Sequence, residues 1–322
     1  MSTVRKAQQA LIIGGLLVAG GLVACSADAA SEPVSGQEAE VTEPRSASVF
    51  KETAVWGEEP GGVRFAGPNG LTVDMEGHVY STEFQGGHLR KFTPDGVLEF
   101  EVGGAGSERG MLANPIGVAV TGDGVIYVSE SGSSRVSRFD PDGTFHSTFG
   151  GAGSGPGQFL SAMGIAVSDT PEVFVADFGN HRVQVFDGEG TFLREWGRPG
   201  STAGELDNPI GAQIGPAGNV WVVDSGNERI QVFSQDGKLL RVFADVGPGP
   251  EIISLNDAGE FYVSSPWADS QVRHFSPDGE LIGLVGEGLA GPHGTATAPS
   301  GVLYLAETTK DVIRTFVRSG DR

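Results

Sequence analysis

A short proline-x-glycine motif returns along the chain at a nearly fixed interval, and this recurrence limits the possible folds more than any other feature. It stands at Pro68-Asn69-Gly70, Pro115-Ile116-Gly117, Pro209-Ile210-Gly211 and Pro292-His293-Gly294, and in altered form at Ala162-Met163-Gly164 and Pro250-Glu251-Ile252. Successive motifs lie 47, 47, 47, 41 and 42 residues apart. A period of about 40–50 residues marks units that bury their apolar faces only against one another. Within a unit the order repeats. An apolar strand such as 117–120 leads through a glycine turn to a second strand, 125–129. An acid, a loop of small residues, a basic residue and a third strand ending in Phe follow, then a tight turn and a fourth strand. The turns carry Asp95-Gly96, Asp142-Gly143, Asp236-Gly237 and Asp278-Gly279, where glycine tolerates the positive φ of a tight hairpin. Alternation in Arg182-Val183-Gln184-Val185-Phe186 puts Val183 and Val185 on one strand face. Four strands per unit predict a blade, and six units predict an all-β, six-bladed β-propeller.

The sixth unit lacks a fourth strand, since its third (312–317) is followed by only five residues. A substitute stands at the other end, where Lys51-Glu52-Thr53-Ala54-Val55-Trp56-Gly57 looks like residues 144–150. This N-terminal strand is expected to pair with the last blade and close the ring, leaving no long open edge. The length of 322 residues alone suggests two domains, but the repeat predicts one propeller over 48–322. The 51 glycines, roughly twice the usual share and without a G-X-Y period, belong to its turns and connections.

The residues before 48 read differently. Arg5 and Lys6 precede an uncharged apolar run, 11–24, whose 14 residues would span about 21 Å as a helix. That is short of the ~30 Å hydrocarbon core, so an export signal is expected over 1–24 rather than a membrane span. The run ends in Leu22-Val23-Ala24-Cys25, which resembles the bacterial lipobox. The resemblance implies that Cys25, the single cysteine, is lipidated and attaches the protein to a membrane. Ser26 in the next position implies, by the same resemblance, the outer membrane if the source is Gram-negative. Residues 25–47 are expected to be the lipidated cysteine and a disordered acidic tether, with Asp28, Glu32, Glu38, Glu40 and Glu43 against Arg45 and no aromatic residue.

Two segments carry a family resemblance. Asp177-Phe178-Gly179-Asn180-His181-Arg182-Val183-Gln184-Val185-Phe186 and residues 224–233, from Asp224 through Asn227 and Arg229 to Phe233, resemble the NHL repeat. So does Gly197-Arg198-Pro199-Gly200 leading through Leu206 to Pro209. The resemblance covers residues 50–322 and implies a closed NHL propeller; the fifth unit departs most, with Ser265 for the acid, Gln271 for the Arg, and Pro266-Trp267 in the loop.

The acid and base pairs Glu130/Arg135, Asp177/Arg182 and Asp224/Arg229, each five residues apart, recur at equivalent positions. Recurrence points to architecture, because a catalytic acid is needed once. The glycine cluster 150–157 recurs at 103–110 and 197–204 and opens no helix, so it reads as an inter-blade connection rather than a phosphate cradle. In this family the motif enters the innermost strand near the mouth of the central channel. The middle residues then form a ring of Asn69, Ile116, Met163, Ile210, Glu251 and His293, half apolar and half polar. Glu251, His293 and Asn69 follow one another around it and are the candidates for a ligand or divalent-metal site. The same face is expected to carry Phe84, His88, Phe178, His181 and Trp267 as a recognition surface. His78, His146 and His274 are expected at the surface, on opposite turns or outer strands.

No nucleophile motif is present. A formal net charge of −20 excludes binding driven by nucleic-acid phosphates. The expectation is a monomeric, lipid-anchored cell-envelope module that binds a protein, peptide or glycan. The alternative implied by the family is a metal-dependent enzyme, amidating-lyase-like or lactonase-like. For a zinc site of that kind His293 stands at a matching P-H-G, while Asn69 and Glu251 stand where further histidines are expected.

Overall fold

The structure, a computed structural model, describes residues 50–58 and 62–319. The segments expected to be an export signal (1–24) and a lipidated tether (25–47) lie outside the described residues. Six four-stranded antiparallel sheets make up the described chain. Blade two shows the pattern in order, with strands Pro115–Val120, Ile126–Glu130, Arg135–Phe139 and Phe145–Gly150. The innermost strands of consecutive blades lie side by side, and that of blade six (Pro292–Thr297) lies beside that of blade one (Pro68–Val73). The ring is therefore closed.

Closure uses the two ends of the fold. Blade six holds Pro292–Thr297, Leu303–Glu307 and Val312–Arg318, and its fourth strand is Phe50–Trp56. The register runs from Phe50 opposite Arg318 to Trp56 opposite Ile313, with a bulge between Glu52 and Ala54. Thr53 and Thr315 join hydroxyls at 2.8 Å, and Arg314 reaches Glu52 at 2.8 Å. The strand begins one residue before the expected position, and Gly57 ends it with φ 107°.

The apolar faces pack between blades. Val183 and Val185 of blade three meet Val220, Val222 and Phe233 of blade four, and equivalent clusters fill the other five interfaces. Both strand faces are thus buried, which explains why Arg182–Asp187 is covered almost throughout despite its alternation.

The motif glycines answer to proximity. A Cβ on Gly70, Gly164 or Gly294 would lie 2.2, 2.4 or 2.1 Å from the main-chain oxygen of Ile116, Ile210 or Asn69 in the next blade. Hydroxyls latch the same seam in two blades. Thr82 accepts the Gly70 amide at 2.9 Å and donates to the Ile116 carbonyl at 2.7 Å. Ser129 likewise accepts the Gly117 amide at 3.0 Å and donates to the Met163 carbonyl. Blade five differs. Ile252 replaces the glycine, and buried Ser264, at the position of Thr82 and Ser129, has no partner for its hydroxyl among the described residues. The seam between blades five and six thus lacks the hydroxyl latch that Thr82 and Ser129 supply in blades one and two.

Candidate functional site

The register sets Pro115 opposite Glu130 and Pro209 opposite Asp224, so the motif and the loop after the second strand share one end of the ring. We call this end the mouth. Ile116, Met163 and Ile210 cluster there with Ala176, and Phe84 and Phe178 pack against them. The other half is polar. His293 is 4 % exposed and Asn69 6 %, each on an innermost strand, and Glu251 immediately precedes the innermost strand Ile252–Leu255. The structure brings Glu251 and His293 together, with Oε2 and Nε2 3.8 Å apart. Asn69 lies on the neighbouring strand, its carbonyl against Gly294, and its side chain makes no hydrogen bond among the described residues. Trp267, half exposed, stands edge-on to the His293 ring at 5.1 Å.

The His293 tautomer follows from its neighbours. Nδ1 lies 3.1 Å from the Gly291 carbonyl, which can only accept, and 2.9 Å from Thr308 Oγ1. Thr308 already donates its proton to the Pro68 carbonyl. Nδ1 therefore carries the hydrogen, and Nε2 turns a bare lone pair toward Glu251. Burial holds both groups uncharged near neutral pH, pushing the Glu251 carboxyl up to about 8 and the His293 imidazole down to about 4. At 3.8 Å they are too far apart to bond each other directly. Among the described residues neither the Glu251 carboxyl nor His293 Nε2 has a hydrogen-bond partner.

This donor set does not fit a zinc-type centre. Three protein ligands are the minimum, and the mouth offers one imidazole, one carboxyl group and the weaker Asn69 amide. Among the described residues the one group of three titratable ligands in mutual reach is Asp74, Glu76 and His78, at a turn on the opposite face. There Asp74 is already engaged by the amides of Glu76 and His78 and by the Tyr80 hydroxyl.

His88 and His181 do not join the mouth pair. His88 sits 3.5 Å from Glu83 and 3.8 Å from Glu101, beside the Arg90 pair of blade one. His181, at φ 55°, accepts the Asn208 amide through Nδ1 at 3.1 Å and so bridges to the next blade. His274 corrects a sequence expectation. It is fully buried, stacked 4.6 Å from Tyr262 with Phe50 edge-on at 5.4 Å, because its strand is covered by the closing strand.

The recurring acids are buried and saturated. Glu130 takes Arg135 at 2.8 Å, Ser137 at 2.6 Å, Ser133 at 2.7 Å and the Ala113 amide at 2.9 Å. Asp177 takes Arg182 at 2.8 Å, Asn180 at 2.8 Å, Gln184 at 3.0 Å and the Leu160 amide at 2.9 Å. Asp224 repeats this with Arg229 at 2.7 Å and the Asp207 amide at 2.6 Å. Each pins the loop leading into its blade, and each Arg binds carbonyls of the preceding connection. No lone pair is left for chemistry.

Sequence reasoning missed three further acid–arginine pairs. In blades one, five and six the Arg stands two positions later, at Arg90, Arg273 and Arg314, paired with Glu83, Asp269 and Glu307. The period-2 rule was the available signal, since two residues along a strand is the same face. Thr308, fifteen residues from His293, was also missed.

The NHL repeat model matches residues 112–139, 159–186 and 206–233. No curated protein sequence matches the chain significantly. Among solved structures, virginiamycin B lyase from Staphylococcus aureus superposes with TM-score 0.60 at 15 % identity, covering 83 % of this chain and 99 % of that one. A gluconolactonase from Xanthomonas campestris superposes with TM-score 0.63 at 16 % identity, over 79 % of this chain and 86 % of that one. A chain of a nidogen/laminin complex reaches 0.56 at 17 %, over 71 % and 84 %. At these identities the likeness is one of fold.

Proposed function

Because the chain is a six-bladed β-propeller whose second, third and fourth blades match the NHL repeat, we propose that it acts through its channel mouth as a binding module, held at the cell envelope by lipid on Cys25. One observation carries the reading. The mouth is divided into an apolar half (Ile116, Met163, Ile210, with Phe84 and Phe178) and a polar half (Asn69, Glu251, His293, under Trp267). Such a surface suits a ligand with an apolar flank and an uncharged polar group, as a peptide offers. The fold is shared by lyase, gluconolactonase and nidogen/laminin-complex chains, so the fold does not choose among chemistries and the site must.

Short uncharged hydrophobic peptides titrated into the full chain, followed by tryptophan fluorescence, should show saturable binding. Ile210→Asp sets a charge in the apolar half and should weaken it by about tenfold or more. Absence of saturable binding, or binding indifferent to Ile210→Asp, would count against the mouth. Cys25→Ala should move the protein out of the membrane fraction; retention there would end the lipid-anchor reading.

A second reading keeps the same mouth and makes it an enzyme's. It is favoured by an acid and a base side by side whose environments push them to opposite protonation. Turnover of a lactone panel that stops in His293→Ala would favour it over the binding module.

A further inference from the structure

Glu251 and His293 face each other across 3.8 Å with hydrogen-bonding capacity unspent on the facing atoms. Gly291 and Thr308 fix the hydrogen of His293 on Nδ1, so Nε2 can only accept. Opposite a lone pair in a buried site with no other charged partner, the Glu251 carboxyl holds the proton and donates it. The two arms are therefore a matched donor and acceptor. An amide nitrogen and oxygen lie about 2.3 Å apart by bond geometry. Hydrogen bonds of about 2.9 Å, splayed slightly outward, join that edge to arms 3.8 Å apart.

From this we infer that the mouth selects a ligand bearing an amide whose N–H and C=O lie on one edge, a primary carboxamide or a lactam, clamped between Glu251 and His293. The inference rests on the mouth-binding reading and adds the chemistry of its polar half. A trans peptide bond turns N–H and C=O to opposite sides and reaches one arm only. A carboxylate sets a second lone pair against Nε2 and brings a charge with no cation to meet it. Trp267 over His293, and the apolar half across the channel, leave the rest of the ligand to apolar contact.

The test uses calorimetry on the full chain with three probes: N-acetylphenylalanine primary amide, its N-methylamide and the free acid. The primary amide should bind about tenfold or more tighter than either relative, as expected where a buried polar pair is otherwise left unmatched. Glu251→Ala and His293→Ala should remove the preference. Glu251→Gln, close in shape and still able to donate, should keep it and guards against a variant that fails to fold. Equal binding of all three probes, abolished by Ile210→Asp, would overturn the clamp and leave the mouth as a binding site. No binding of any probe would also overturn the clamp, and the peptide titration then decides separately whether the mouth itself stands.

Discussion

Blades two to four and blades five, six and one are two halves of the same ring that solve one structural problem differently. In the first half the Arg stands directly opposite the buried acid, as Arg135, Arg182 and Arg229 do. In the second it stands two residues on, at Arg273, Arg314 and Arg90. The first half is the part that the NHL repeat model matches, and its mouth residues are Ile116, Met163 and Ile210. The second presents Glu251, His293 and Asn69. In blades one and six the Arg has slid two positions along the same strand face, whereas in blade five the acid has moved into the loop, to Asp269. Where the repeat has drifted, polar side chains have entered the channel mouth. The proposed site is thus found where repetition fails.

The contrast can be broken most sharply at the pins. Asp177→Ala strips the Leu160 amide of its partner and takes a charge-assisted bond from Arg182 and one each from Asn180 and Gln184, and removing one partner of a buried pair costs about 3–5 kcal/mol. Asp269→Ala, on the part-exposed loop of blade five, should cost about 1 kcal/mol or less. Chemical unfolding of both variants measures the difference, and equal costs would mean that the halves are held alike.

The polar mouth gives the next effect. Glu251 has its carboxyl pushed up to about 8, so the stability it contributes is present below its ordinary value near 4.5 and is lost as pH rises through 8. Glu251→Gln should therefore gain stability over the parent between pH 5 and 9, on the order of 2 kcal/mol at the upper end. His293 acts in the opposite sense. With its imidazole pushed down to about 4, it contributes stability above about 6.5 that disappears as pH falls toward 4. Melting curves of parent and variant that stay parallel across pH would show Glu251 to be an ordinary solvated acid.

The smallest effect separates two serines at one repeat position. Ser129→Ala breaks a bridge between blades and should cost about 1 kcal/mol. Ser264→Ala removes a buried hydroxyl without a partner and should be neutral or stabilising by up to about 1 kcal/mol. Matching losses would mean that Ser264 latches its seam as Ser129 does.

Much of the ring was legible because it is written in local spacing. The motif interval, the Asp-Gly turns and the missing sixth-blade strand together imply the closure that Phe50–Trp56 makes with Val312–Arg318. The polar run of Glu251, His293 and Asn69 was legible once the blades were in register. What escaped depends on contacts distant in sequence. Thr308 sets the His293 tautomer by handing its proton to Pro68, 240 residues away. His274 is buried because the closing strand puts Phe50 over it, and no pattern within its own blade announces that cover. Arg273 was hidden because Gln271 occupies the position where the first half carries its Arg.

The closing strand has a mechanical consequence. Phe50 pairs with Arg318 at the end of blade six away from the mouth, and the strand runs toward the mouth to Trp56. A force on Phe50 directed along the strand, with the mouth end held, loads its rungs against Val312–Arg318 together in shear instead of peeling them one by one. A load on Phe50 therefore acts at the end of blade six away from the mouth.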